Sequence, residues 1–442
     1  MSFVFRITAA IVALPAAVSA QVVFAAPSTG GGIGLFEQRG AQIVPLVTGQ
    51  SEHYYPWISR SGRYISFSAP DPTTLGSNPS SDVYVYDRNT GINHRVINHS
   101  TAVDGFGGFI SQRAISSAVS PDATLLAYGV VIQGSAQGAT SAGRALNVVS
   151  LSTGLSAGPG FGVKETPSDS LQAEFVGISW DPGGNSFVTP TYVTVSPPSP
   201  VVPQLPGIVR WIRQGNGSWA GVPLSAPQVT NGGFGAIFHI YPAISPSGAG
   251  LAYFSIHYPD LFGSSLPAQV SLVRANADGS NPVVLGTFTP SGGGDTYYPA
   301  GLDWSADGSR LVFSICQQVF TGSGWTTAPN FLTAQTSSVN SSTGQDFRSE
   351  PGLAGAFGVS VGPINSFTPA QPPALQMSPD GSGNFVLRAT GIDPSATYHL
   401  RSSPSLQAGS FGNPQSFTGQ QLMNGITVPK SGERRFFQLF DP

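Results

Sequence analysis

Short runs of alternating apolar and polar residues fill this chain, and one kind of corner interrupts them repeatedly. In the clearest copy Tyr55-Pro56-Trp57-Ile58 enters, Ser59-Arg60-Ser61-Gly62 turns, and Arg63-Tyr64-Ile65-Ser66-Phe67 leaves. Runs of this length, rich in β-branched and aromatic residues, predict two strands. The turn between them needs a residue that tolerates positive φ, and Gly62 does so at no steric cost. Good copies stand at Ile244-Ser245-Pro246-Ser247-Gly248 and Trp304-Ser305-Ala306-Asp307-Gly308. Weaker ones are Val119-Ser120-Pro121-Asp122-Ala123, which lacks the glycine, and Trp180-Asp181-Pro182-Gly183-Gly184.

After each corner comes a second strand pair. In the first unit it is 82–88 and 94–97 around Asn89-Thr90-Gly91; later versions use Thr153-Gly154, Gly215-Asn216-Gly217 and Asp278-Gly279. Residues 33–37 and 43–47, around Arg39-Gly40, match such a second pair with no first pair before it. Four strands at intervals of about sixty residues is the arithmetic of a β-propeller, whose blades bury their faces only against one another. A chain that starts with the outer half of a blade can close its ring against strands from its far end.

The motif 56–67 followed by Asp82-Val83-Tyr84-Val85-Tyr86-Asp87-Arg88 resembles the WD40-like β-repeat (PD40) of TolB-like propellers over residues 33–368. The resemblance implies six blades. Five corners and the N-terminal half-blade are countable, so a sixth inner strand is sought in 352–367, with Phe357-Gly358-Val359-Ser360-Val361 as the candidate; five blades stay open. After a Pro-rich linker, 369–373, residues 374–442 resemble a small β-sandwich module that ends many secreted bacterial proteins, through Tyr398-His399-Leu400-Arg401-Ser402-Ser403 and Arg434-Arg435-Phe436-Phe437-Gln438-Leu439. Ser378-Pro379-Asp380-Gly381 also spells the corner, so 375–389 is the alternative sixth blade. The expected class is therefore all-β: a propeller of six blades, or five, and a small sandwich.

Composition narrows the setting. Of 442 residues 40% are hydrophobic and only 9% charged, with 55 Gly and 38 Pro, which suits many strands joined by tight turns. A net charge of −3 gives no reason to expect a nucleic-acid partner. Residues 1–20 read as a secretory signal, with Arg6, an apolar stretch 7–17 and Val18-Ser19-Ala20 before cleavage at Gln21. A membrane anchor is the competing reading, but the stretch is short and Pro15 interrupts it, and no other run is long enough to span a bilayer. Residues 21–32 read as a linker. Cys316, the one cysteine, has no partner for an internal disulfide and reads as a small buried hydrophobe.

Familiar catalytic motifs are missing: there is no G-x-S-x-G, H-E-x-x-H, P-loop or Cys/His cluster. The Asp-Gly pairs at 104, 278, 307 and 380 read as turns, because the dense D-x-D-x-D-G spacing of a calcium loop is absent. No cofactor and no metal is expected. One constellation aligns with the inner strands: Glu52 and His53, Arg113, Glu174, His239 and Asp295 before them, with Tyr55, Tyr241 and Tyr298 one step deeper. In a propeller these converge on one mouth of the channel, where ligands are held. The reading is a secreted binding protein for a protein or an extracellular or cell-envelope glycan. Alternatives are an enzyme on extracellular polysaccharide using the mouth carboxylates, or a scaffold attached through the C-terminal module. Oligomeric state is left open.

Overall fold

The computed structural model describes residues 21–28, 32–39, 42–47, 54–70, 81–98, 102–103, 109–136, 139–152, 161–165, 177–196, 204–230, 232, 235–259, 269–288, 296–318, 330–349, 353, 355–362, 374–382, 384–390, 397–403, 413, 415–428 and 436–440. By contact the chain divides into two compact units, 1–84 with 95–365 and 85–94 with 366–442.

The first unit is built of antiparallel meanders; residues 85–94 of the first one are counted with the second unit, and the first and second meanders join in one sheet through the parallel Ser81–Arg113 pairing. The N-terminal strands are β1 (Gln21–Pro27), β2 (Ile33–Arg39) and β3 (Gln42–Val47). The first complete meander follows as β4 (Tyr54–Ile58), β5 (Tyr64–Pro70), β6 (Ser81–Asp87) and β7 (Ile92–Ile97). A two-residue strand β8 (Ala102–Val103) leads into the second: β9 (Phe109–Val119), β10 (Leu125–Ala136), β11 (Ala139–Ser150) and β12 (Phe161–Glu165). The third is β13 (Ser179–Trp180), β14 (Ser186–Thr194), β15 (Gln204–Arg213) and β16 (Trp219–Pro223). The fourth adds a short β17 (Gln228–Thr230) before β18 (Gly235–Ile244), β19 (Gly250–Tyr258), β20 (Gln269–Asn276) and β21 (Val283–Phe288). The fifth is β22 (Thr296–Trp304), β23 (Arg310–Gln318), β24 (Asn330–Asn340) and β25 (Arg348–Ser349).

The sixth meander is composite. Strand β26 (Phe357–Gly362) pairs with β1, and the order runs β26-β1-β2-β3. Innermost strands lie against one another in sequence, β4 on β9, β9 on β13, β13 on β18, β18 on β22, β22 on β26, and β26 back on β4. This is the propeller arrangement, with its two chain ends joined through β-pairing rather than through a covalent link. The candidate inner strand at 357–361 is thus a strand of the sixth meander, and the N-terminal strands do pair with the far end of the unit. A correction concerns residues 21–32. The first seven are not linker but β1, with Val22, Val23, Phe24 and Ala25 buried. Alanine, proline and glycine around Val-Val-Phe made the stretch look like a spacer, whereas a second strand is what the half-blade lacked.

All five corners share one geometry. At the first, Ser59 N donates to Tyr64 O at 2.7 Å, Gly62 N to Ser59 O at 2.8 Å, and Tyr64 N to Ser59 Oγ at 3.0 Å. The Ser120, Ser245 and Ser305 hydroxyls accept in the same way from Leu125, Gly250 and Arg310 at 2.9 Å. The left-handed position is Gly62 (φ 74°), Gly184 (72°), Gly248 (77°) and Gly308 (73°), and Ala123 adopts it too at 59°. Behind the corners Phe67, Phe187, Phe254 and Phe313 are fully buried, each contributing about 2–3 kcal/mol of transfer free energy. Meanders also tie to their predecessors: Trp180 Nε1 donates to Ala118 O at 2.9 Å and Trp304 Nε1 to Ala243 O at 3.0 Å.

The second unit holds two three-stranded sheets. One is β27 (Ala374–Pro379), β28 (Phe385–Thr390) and β31 (Ile426–Val428); the other is β29 (Thr397–Ser403), β30 (Gln415–Thr418) and β32 (Phe436–Phe440). Between β30 and β31 lies the helix α1 (Gly419–Asn424), capped by the Thr418 hydroxyl on Gln421 N. Ala389, Tyr398 and Leu422 meet in its core with Leu375, Phe417 and Ile426. Strands β27 and β28, which flank the Ser378-Pro379-Asp380-Gly381 corner, pair with each other, and β28 pairs with β31, so both belong to this sheet.

Candidate functional site

The inner strands have two ends, and the tyrosine end is closed by backbone. A register shift interrupts β4 after Tyr54, β18 after Ile240, and β22 after Pro299. Tyr55 (φ 47°) and Tyr241 (φ 52°) take left-handed conformations there, while Gly177 (φ 89°) and Gly358 (φ 60°) stand in the third and sixth meanders. These bulges touch: a Cβ on Gly177 would meet Tyr241 Cα at 2.8 Å, and one on Gly358 would meet Tyr55 Cα and Pro56 Cδ at 2.9 Å. The rings of Tyr55 and Tyr241 lie 6.1 Å apart, and Tyr55 and Tyr298 both pack on the core cluster that holds Tyr241. Of the three aligned tyrosines, Tyr55 and Tyr241 thus lie close together, and Tyr298 packs on the same cluster.

His239 does not join them as a ligand group, which corrects the expectation for it. It lies inside β18, buried, with Nδ1 2.7 Å from Ser225 Oγ and its ring 5.0 Å from Tyr253. Burial pushes its pKa down to about 4, so the imidazole is neutral at ordinary pH. Arg113 lies in β9, its backbone paired with Val131 and Ser81; its side chain is outside the described residues. Glu52, His53, Glu174 and Asp295 also fall outside them, as do residues 1–20, the linker 369–373 and Asp104. Cys316 is buried and burial pushes its thiol up to about 12, which leaves it unreactive. Asp278, Asp307 and Asp380 each accept from the N–H two residues on, as turn aspartates do.

At the corner end the inner strands open on a cavity of about 100 Å³. Every meander lines it. The residue just before each corner forms the wall: Ile58, Val119, Trp180, Ile244 and Trp304, with Val361 from β26. The residue just after each corner's Ser or Asp forms the rim: Arg60, Pro121, Pro182, Pro246 and Ala306. Trp57, Ser179 and Asp303 line it from one step deeper, and Ser59 of the first corner completes the lining. The sequence reading placed no residue here.

Asp303 is the group that organises this end. It is only 6% exposed. Its Oδ1 accepts from Trp304 N at 2.8 Å, and Oδ2 from Val361 N at 2.8 Å and Ser360 Oγ at 3.0 Å. Ser360 Oγ in turn accepts from Ile58 N at 3.1 Å, so the fifth, sixth and first meanders share one chain of hydrogen bonds. Burial outweighs these donors and raises the carboxyl pKa to about 6. Arg60 reaches from the first meander to the Pro246 carbonyl of the fourth. Burial lowers its pKa and the charge of Asp303 opposes that shift, although the two make no direct ion pair. The cavity thus combines an apolar wall, three indoles, one cation at the rim and one buried carboxylate.

No family model and no curated protein matches the chain. Among solved structures it is similar to TolB from Acinetobacter baumannii, with 14% identity over 78% of this chain and 67% of that one, and a TM-score of 0.45. It is also similar to a puromycin-hydrolyzing peptidase from Mycobacterium tuberculosis (11%, 84% of this chain and 58% of that one, TM-score 0.37). An oligogalacturonate lyase from Vibrio parahaemolyticus aligns at 11% over 74% and 78%, with a TM-score of 0.35. Such distant likeness assigns no activity, and the propeller assignment rests on the strand pairing itself.

Proposed function

We propose that this chain is an exported, six-bladed, non-catalytic binding propeller whose ligand enters the corner-end cavity. One observation carries the reading: all six meanders contribute to a single concave site in which the only charged groups, among the described residues, are Arg60 and Asp303. Convergent polar groups in an apolar cleft are the usual form of a ligand site. The size restricts the occupant. An apolar cavity of about 150 Å³ holds one benzene, so 100 Å³ admits a small head group and not a whole sugar ring. The polysaccharide-enzyme alternative needs two facing carboxylates, and the described lining supplies one, Asp303. Export is supported by the composition of residues 1–20, with Arg6, an apolar stretch and Val18-Ser19-Ala20 before Gln21. Among the described residues no helix is long and apolar enough to cross a membrane.

The tyrosine end offers no comparable opening, because Tyr241 is buried there in the core cluster. Trp57, Trp180 and Trp304 line the cavity, so a ligand that enters it shifts tryptophan emission. A panel of small organic ions, tripeptides and oligosaccharides is titrated into the full chain. Saturable shifts with no chemical turnover are expected. A panel that never shifts emission, or release of reducing ends from polysaccharide, overturns the proposal.

A further inference from the structure

Resting on that reading of the cavity, we infer that its ligand is an alkylammonium group, held by Asp303 among Trp57, Trp180 and Trp304, with Arg60 as a gate that it must displace. The carboxylate comes first. A carboxylate has about four lone-pair sites, and Trp304 N, Val361 N and Ser360 Oγ occupy three of them. All three donors are neutral, so hydrogen bonding is nearly complete while the charge has no direct counter-ion. A buried charge in that condition is costly, and a partner cation removes the cost. Arg60 does this only in part: its charge acts on Asp303 without a direct ion pair, while its guanidinium is held by the Pro246 carbonyl across the mouth.

The walls agree. Tryptophan is the aromatic residue that attracts cations best, and Trp57, Trp180 and Trp304 all contribute to the lining beside one acidic group, the Trp180 ring also packing on Phe187 and Trp219. Two have their indole N–H committed to carbonyls of the preceding meander, so they are fixed in place before any ligand arrives. Ser179 Oγ adds a neutral polar group that already accepts from Ile244 N at 2.9 Å. An anion would find Arg60, but would then sit beside Asp303 with no second cation. The volume fits a short ammonium head, and Pro121, Pro182 and Pro246 form part of the rim. Such a head occurs on free amines and on lysine side chains.

The test is calorimetric titration of the full chain with n-butylammonium chloride, and with potassium butyrate as the anionic counterpart. Butylammonium should bind and butyrate should not. Asp303→Asn should weaken butylammonium binding about tenfold or more, the loss expected when a buried charge partner is removed. Arg60→Ala should tighten it severalfold. If Asp303→Asn does not fold, the wild-type pH profile serves: affinity should fall as pH drops through about 6, where Asp303 gains its proton. Arg60 is the other charged group described at the cavity, and it stays protonated throughout. An acetylated, amidated Gly-Lys-Gly peptide and its norleucine counterpart identify the source: binding of the lysine peptide alone assigns a side chain, binding of butylammonium alone a free amine. Butyrate binding that Arg60→Ala abolishes overturns the ammonium inference and leaves the cavity as a ligand site. Failure of butylammonium and the lysine peptide to bind at pH 7.5 also overturns it.

Discussion

The two ends of the inner strands use the same repeat in opposite ways. At the tyrosine end the backbone is irregular, and the bulges of neighbouring meanders press directly on one another, Gly177 on Tyr241 and Gly358 on Tyr55. At the corner end the backbone is nearly identical from meander to meander, and the side chains differ. Irregular backbone consumes space for closure, so His239 and Tyr241 are buried there. Regular backbone leaves a symmetric opening, and the few departures from the repeat, Arg60 and Asp303, then define its chemistry. In this propeller the backbone contacts between meanders and the open cavity occupy opposite ends.

The largest effect that would break this comparison is at Gly358. Gly358→Ala adds a Cβ against the Tyr55 backbone and the Pro56 ring at a φ of 60°. We expect a loss of roughly 3–4 kcal/mol in chemical denaturation. Gly217→Ala has positive φ (83°) but open space around it, and should cost only about 1 kcal/mol. Equal losses at the two positions would mean that the bulges are not a closing contact.

Next in size is a pair of opposed pH effects, one at each end. His239 is held neutral, with its pKa near 4 against 6.5 unfolded. The unfolded chain therefore binds the extra proton first, and stability from this group is lost as pH falls from 6.5 to 4, by up to about 3 kcal/mol. For Asp303 the pKa is raised to about 6, so the folded chain holds the proton longer. Its contribution falls as pH rises from about 4 to 6, by a similar amount of roughly 3 kcal/mol. The two offset each other in the wild type. His239→Gln should therefore lose stability from pH 4 to 6, and Asp303→Asn should gain it, as read by melting temperature across that range. Parallel profiles for the two variants would contradict the opposed burial of imidazole and carboxyl.

The smallest effect sharpens the regular end. Ala123 occupies the left-handed corner position that Gly62, Gly184, Gly248 and Gly308 fill elsewhere. Ala123→Gly should stabilise by about 0.5–1 kcal/mol, the strain relieved less the backbone entropy lost. A destabilised variant would show that the second corner is held by something other than the shared geometry.

Much of this was legible along the chain, for local reasons. The corners, the second strand pairs and the candidate strand at 357–361 follow from turn chemistry and alternation, which neighbouring residues settle among themselves. The closeness of Tyr55 and Tyr241 followed from their equal place in the repeat. His239 misled because an aligned position near a strand end was read as a loop, whereas β18 begins at Gly235 and carries the imidazole into contact with Ser225. Strand β1 was missed because its partner, β26, is more than three hundred residues away. The cavity had a signal that was not used. Arg60 stands where other corners have Pro121, Pro182, Pro246 and Ala306, and Asp303 where others have Trp57, Ala118, Ser179, Ala243 and Ser360.

By itself, then, the sequence determined the repeating unit: which residues turn, which alternate, and which must be buried between strands. Those are short-range matters of φ, hydrogen-bonding hydroxyls and hydrophobic period. Only the tertiary structure decided that β1 closes the sixth meander and that Arg60 and Asp303 share one cavity while His239 is sealed away from any. The reason is geometric. Whether two side chains meet depends on the accumulated rotation and bulging of all the meanders between them, and no local pattern records that sum.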